Sequence, residues 1–330
     1  MQQEYLTFHL FFSKNAVKLA NQHRNRHGLR LGNKRIGSVG VKTAMIIALC
    51  TLMIGVMLSL PEVTGSAARE ALRIWGLDVV PSLFPYMVFC RLIASRLQRT
   101  GLPAMPAAIG LGTLGGSPSG AAVVSVYACM GALTRRQVTM LAAFTGTISP
   151  MFLLSTVNTW VQNARVCRLL LISHLAGAAA AMAIAGLITR GEQPATGHVQ
   201  TPHSTPPSAN PIAMSVESIL NVGGCIVFFS VMAAGCCALL PWLHGAPGAV
   251  LHAALEVSGG LHALCSASLS PNVTAVAMAA ASGFSGLSIL TQNLLLLRPL
   301  GIHMPQLVAF GLLRAMVAAA VMQLLLLLLL

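Results

Sequence analysis

Few side chains in this 330-residue sequence could do chemistry, and most of them sit beside strings of small residues. Glu256 is an acid inside an apolar arm, three residues before Gly259-Gly260, where free backbone groups could share a ligand with it. A charge at the centre of a bilayer costs at least about 2–3 kcal/mol and serves a pathway or an ion pair, unless it lies near enough to the interface to reach water. Asn221, Gln292 and Asn293 carry amides, donors and acceptors that suit either a polar solute or hydrogen bonds between helices. The remaining candidates are small residues in broken stretches: Gly116, Ser117, Ser119 and Gly120; Ser149 in Thr145–Pro150; Gly223 and Gly224; Ser285 and Ser288.

Bond-breaking chemistry finds little support. Gly283-Phe284-Ser285-Gly286 has the Gly-x-Ser-Gly form of an intramembrane serine protease, which needs a histidine within hydrogen-bond reach of the serine. His174 and His303 are the candidates, and no acid is placed to orient either, so no catalytic residue is assigned. Eight cysteines lie in or beside apolar segments with neither a C-x-x-C nor a zinc-like histidine spacing, and read as small buried hydrophobes. No metal ligand and no cofactor is assigned. No phosphate-binding GxxxxGK[ST] motif occurs, so an ATP-driven engine is absent from this sequence.

The elements that must position these residues follow from composition. Hydrophobic residues make up 55% of the chain, charged residues 8%, and the mean hydropathy is +0.77, far from the roughly 25% charge of soluble domains. The expectation is an all-α polytopic membrane protein surrounded by lipid. A net charge of +13 would raise nucleic acid as a partner in a soluble protein, but the basic residues fall between apolar runs and are not interleaved with aromatics, so no nucleic acid is expected.

Residues 1–42 are basic and read as a disordered cytoplasmic extension, or as a non-native one from an upstream start codon. A first membrane half covers 43–190, a Pro/Gly-rich linker 191–211 and a second half 212–330. Within the first half, 43–60 is a span, 66–75 a short interfacial helix anchored by Trp75, and 76–94 a returning span. Residues 102–133 form two apolar arms meeting at Gly115–Gly120, either a re-entrant hairpin or two short spans; 137–160 crosses with an interruption at 145–150; 169–189 is a clean span. The second half has 211–243, a pair of arms at 246–269 interrupted at Ser258-Gly259-Gly260, then 273–297 and 306–330. Broken backbone at membrane depth survives only where protein or a watery cavity satisfies it, which marks these interruptions as candidate sites, tight turns or close-packing surfaces. With the amino terminus in the cytoplasm, basic residues concentrate on the inner side, and a multi-pass protein of the cell membrane is expected. Arg165 and Arg168, in one outer loop, run against that rule.

The halves also look alike. Gly115-Gly116 corresponds to Gly259-Gly260, and Ala142-Ala143 through Gly146 to Ala279-Ala280 through Gly283, with offsets between 137 and 144. The parity of crossings makes the two repeats inverted, and inverted repeats with broken helices in equivalent positions are a transporter pattern with a site near the midplane. His174 and Arg314, inside apolar runs, read as packing, as snorkelling toward an interface, or as a pore or proton group.

In order along the chain, Leu83-Phe84-Pro85, the Gly-Ser-Pro-Ser-Gly-Ala run at 116–121, Asn221-Val222-Gly223-Gly224, Glu256-Val257-Ser258-Gly259-Gly260 and Gly283-Phe284-Ser285-Gly286-Leu287-Ser288 resemble the sporulation integral membrane proteins that carry nucleoside-recognition (Gate) domains. The resemblance covers about residues 44–328. It implies passage of a small polar, nucleoside-like solute without fixing the solute, and Ser117 stands where relatives often have an aromatic residue. The competing expectation is a non-transporting membrane protein of spore formation, whose small residues pack helices or contact partners. A homo-oligomer is compatible with either.

Overall fold

A computed structural model describes residues 41–97, 103–190 and 210–329, omitting the side chains of 41 and 42. Residues 1–40 of the expected basic extension (1–42) and 191–209 of the expected linker (191–211) lie outside the described residues, and 41 and 42 open a helix instead. Every regular element among the described residues is helical, and no strand occurs. The chain divides at residue 52 into two units. Helix α1 (Val41–Ser59) runs across that division, and everything below concerns residues 53–330.

Pro61 opens α2 (Pro61–Ile74), since proline's missing N–H is no loss in a first helical turn. A π-helical turn at Trp75–Val79 then leads without a break into α3 (Val80–Leu97). The expected interfacial helix and returning span are therefore one helical run of 37 residues. Trp75 does not serve as a surface anchor. Its Nε1 donates to the Ile219 carbonyl at 3.0 Å, fixing the run against the helix that carries residue 219.

Two short helices follow, α4 (Ala104–Gly115) and α5 (Ser119–Cys129), of 12 and 11 residues. At 1.5 Å per residue each is about 16–18 Å long, well short of a roughly 30 Å hydrocarbon core. Thr134 and Gln137 form a reciprocal capping box that starts α6 (Arg135–Phe144). The chain then breaks at 145–150, resumes in a π-helical turn (Phe152–Thr156) and ends in α7 (Val157–Val161). Asn163 caps α8 (Ala164–Ile188) by accepting from the N–H groups of Arg165 and Val166.

The second half has the same order of parts. Asn210 caps and Pro211 opens α9 (Pro211–Leu239). Short helices α10 (Ala246–Leu255) and α11 (Val257–Ser266) meet at Glu256. Helix α12 (Pro271–Phe284) breaks at Ser285 and continues as α13 (Gly286–Leu297), and α14 (Met304–Leu329) closes the chain. Gly116 and Glu256 at the tips of the short-helix pairs, Thr145 and Ser285 at the breaks, and Ala164 and Met304 at the starts of the long closing helices are each separated by the same 140 positions. The sequence pairing of Gly115-Gly116 with Gly259-Gly260 is therefore shifted. The second pair of arms breaks at Glu256, and Ser258–Gly260 form the first turn of α11.

One expected interruption is no interruption. Helix α9 runs intact through Asn221–Gly224. Gly223 is small because Trp75 lies on it: a Cβ there would stand 2.6 Å from Trp75 Cε2.

Among the described residues, five helical runs are long and apolar enough to cross a membrane: Pro61–Leu97, Ala164–Ile188, Pro211–Leu239, Pro271–Leu300 and Met304–Leu329. Large aliphatic and aromatic side chains cover the outside, among them Leu77, Phe89, Ile188, Phe228, Leu295 and Leu327. Water-soluble monomers rarely expose apolar surface on that scale, and lipid accommodates it. One apolar core joins α2, α3, α7–α12 and the later part of α14. A second gathers the end of α3 and α4–α6 with α13 and the start of α14. The breaks lie among the buried residues of both cores.

Candidate functional site

The four breaks touch in series. At the first tip Ser117 N–H donates to the Thr147 carbonyl at 2.8 Å. Gly116, at φ +59°, packs so closely on Ser149 that a Cβ would stand 2.6 Å from its backbone nitrogen. Beyond Thr147, the Gly146 carbonyl accepts from the Ser285 hydroxyl at 2.6 Å. Gly286, at φ +73°, lies against the second tip, where a Cβ would approach Val257 N and Ala253 O at 3.1 and 3.2 Å. Ser117 Oγ also donates to Asn293 Oδ1 on α13 at 2.7 Å. The first half's tip is thereby joined to the second half's broken helix, across 176 positions of sequence.

Glu256 is 1% exposed and caps α11, one carboxylate oxygen accepting from Ser258 N–H at 2.8 Å and the other from Gly259 N–H at 2.6 Å. A side chain at the N-cap satisfies backbone donors left over at a helix start, and a negative charge suits that end of the helix dipole. The carboxylate itself takes the backbone donors expected to share a ligand with it.

Glu256 also lines two cavities. The larger, about 420 Å³ and open to the surface, is walled by α2, α9, α10 and α11, with Glu70, Ser230, His244, His252, His262 and Ser266 as its polar lining. His252 Nε2 lies 3.2 Å from Ser230 Oγ. The smaller, about 40 Å³, is lined by Ser117, Ser149, Ser258, Ser288 and Gln292 together with apolar side chains of α3, α9 and the broken helices. That volume holds one or two waters. In its lining the Ser288 hydroxyl is buried without a hydrogen-bond partner, as are, at the breaks and on α13, the Ser119, Thr145 and Thr147 hydroxyls and Asn293 Nδ2. Buried polar groups are nearly always satisfied, so such a cluster marks a place for water or a polar ligand.

The sequence candidates divide accordingly. Gly116, Ser117, Ser149, Glu256, Ser285, Ser288, Gln292 and Asn293 come together at the breaks or the cavities. Gly259 belongs to the wall between them: a Cβ on it would meet His252 Nε2 at 2.7 Å and Glu256 Oε2 at 3.2 Å. Ser119 is buried at the start of α5, and Gly120 allows close packing on Gly112 and Thr145. Asn221 and Gly224 face outward from α9, away from both cavities.

Two residues read as packing or snorkelling groups are at the centre. Arg314 is 1% exposed, so it does not reach an interface; Nη1 donates to the Ala143 carbonyl at 2.8 Å and Nε to the Gly283 carbonyl at 3.0 Å. His174, fully buried, accepts the Ile148 N–H on Nε2 at 3.1 Å. No hydrogen bond joins His174 to Ser285, whose hydroxyl has the Gly146 and Ser282 carbonyls within reach. His252, which nothing in the sequence singled out, stands in the wall of the larger cavity. The eight cysteines are all free.

Compared with protein-family models, curated proteins and solved structures, the chain matches none.

Proposed function

We propose that this protein is a transporter or permease-like membrane protein for a small polar solute, built from two inverted repeats that each contribute a re-entrant hairpin and a broken helix. The observation that carries the reading is the position of Glu256, a buried carboxylate that, with the apolar Ile226, lines both the open cavity and the small inner one. Solute sites in such proteins form near the midplane from discontinuous helices and their termini. The constant spacing of 140 positions between equivalent breaks and the short lengths of α4, α5, α10 and α11 support the repeat and the hairpins.

The open cavity lies in the size range of small-molecule sites, whereas the inner one is closed to anything larger than water. This corresponds to a state with access from one side, in which movement of the hairpin tips would enlarge the inner cavity. With the amino terminus in the cytoplasm, the open side is the outer one. The resemblance to sporulation proteins with Gate domains makes nucleosides the first solutes to test.

The test is uptake of labelled nucleosides, bases and divalent cations into vesicles holding the purified protein. Saturable uptake that Glu256→Gln abolishes and Asn221→Ala leaves intact is expected. Absence of uptake of every solute by folded protein would favour a membrane protein of spore formation acting through packing or partner binding.

A further inference from the structure

Arg314 is a full positive charge in the middle of the bundle, since a guanidinium does not lose its proton in proteins. The single ion pair among the described residues is Arg73–Glu70, far along the chain in α2, and no carboxylate accompanies Arg314. Its partners are two carbonyls, Ala143 in the last turn of α6 and Gly283 in the last turn of α12. These are the carboxyl-terminal ends of the two helices that break, where unsatisfied carbonyls carry the negative end of the helix dipole. Ala143 and Gly283 are themselves 140 positions apart, as are His174 and Arg314. One guanidinium thus joins the same position of both halves, and the corresponding residue of α8 is a histidine that holds the first break through Ile148.

The surroundings make room for the guanidinium, whose Nη2 is buried without a hydrogen-bond partner. A Cβ on Gly146 would stand 2.6 Å from Arg314 Nη2, so the break itself leaves room for the guanidinium. Gly177 on α8 and Gly283 on α12 bring their helices against the α14 backbone at this residue; a Cβ on either would stand 2.7–2.8 Å from Arg314 or Ala315 backbone atoms. In transporters with broken helices, unwound carbonyls and half-helix carboxyl ends are where coupling cations bind.

We propose that Arg314 is a resident cation, a positioning residue that occupies with its own side chain a place between the two broken helices where a dissolved cation would otherwise be needed. Its role in solute movement rests on the transporter reading; its role as a resident cation does not. The charge, rather than the bulk, holds the ends of α6 and α12 together, and no metal ion binds at these two carbonyls while Arg314 is present.

The test is thermal unfolding of purified protein in detergent, independent of transport. Arg314→Ala is expected to lower the unfolding midpoint by about 5–10 °C. Guanidinium at about 10 mM, far below denaturing concentrations, is expected to restore most of the loss while leaving the wild type unchanged. Urea is the control, planar and of similar size but neutral. Equal rescue by urea, or rescue by neither, overturns the proposal. Should Arg314→Ala fail to fold, Arg314→Lys and Arg314→Met decide: Lys is expected to be the more stable, and Met at or above Lys overturns the proposal. Loss of uptake with intact guanidinium rescue of stability would leave the resident cation standing whichever solute the protein takes.

Discussion

The tips of the two short-helix pairs, at Gly116 and Glu256, lie 140 positions apart and are built in opposite ways. At the first, Gly116 and Ser117 lie flat on Thr147–Ser149, backbone against backbone, and only a cavity of about 40 Å³ remains beside them. At the second, an acid rather than a glycine stands at the turn, its carboxylate caps the following helix, and a cavity of about 420 Å³ opens past it. A tip closed by backbone contact leaves no room for a solute beside it. A tip closed by a charged side chain can exchange its partners. In the transporter reading proposed above, the second tip is the recognition element and the first the seal.

The largest effect is expected where the seal is broken. Gly116→Ala places a Cβ into Ser149 at a positive φ, so a loss of about 3 kcal/mol or more, seen as aggregation or poor recovery of folded protein, is expected; Gly224→Ala, facing open space, should be silent. Next comes the recognition tip. Glu256→Ala removes both caps of α11 and is expected to cost about 1–2 kcal/mol in detergent unfolding, whereas Glu256→Gln, with one acceptor oxygen left, should cost less while still abolishing uptake. Accessibility sharpens the comparison without perturbing stability much. In a background free of native cysteines, a cysteine replacing Ala263 in the open cavity should react with a hydrophilic thiol reagent, and one replacing Ser288 at the inner cavity should be slower by about tenfold or more, as expected of local opening. The smallest effect is expected for Ser117→Ala, which removes one hydrogen bond to Asn293 and should cost about 1 kcal/mol in unfolding.

Much of this architecture was legible in the sequence. The helical class follows from long apolar runs, and the breaks at 116–118, 145–150 and 285–286 fall in strings of Gly, Ser, Thr and Pro that weaken a helix. Small residues are ambiguous, however, because they also let helices touch. Asn221–Gly224 has the composition of a break and is a continuous helix, its glycine fixed by Trp75 from 148 positions earlier. Ser258–Gly260 has the composition of a turn and is a helix start, because Glu256 satisfies its backbone. Arg314 and His174 were least legible, since their partners lie in other helices and nothing in an apolar run reveals which carbonyl a lone charge will meet. The spacing of 140 positions is hidden in the residue types because equivalent breaks carry different residues, Gly116 against Glu256 and Thr145 against Ser285.

The central claim is that solute passes Glu256 by way of the open cavity. In vesicles that take up solute, with Ala263→Cys in a background free of native cysteines, a membrane-impermeant thiol reagent should block uptake from one face only, and the transported solute should slow the block. Uptake that persists after full modification of that cysteine would contradict the path through this cavity.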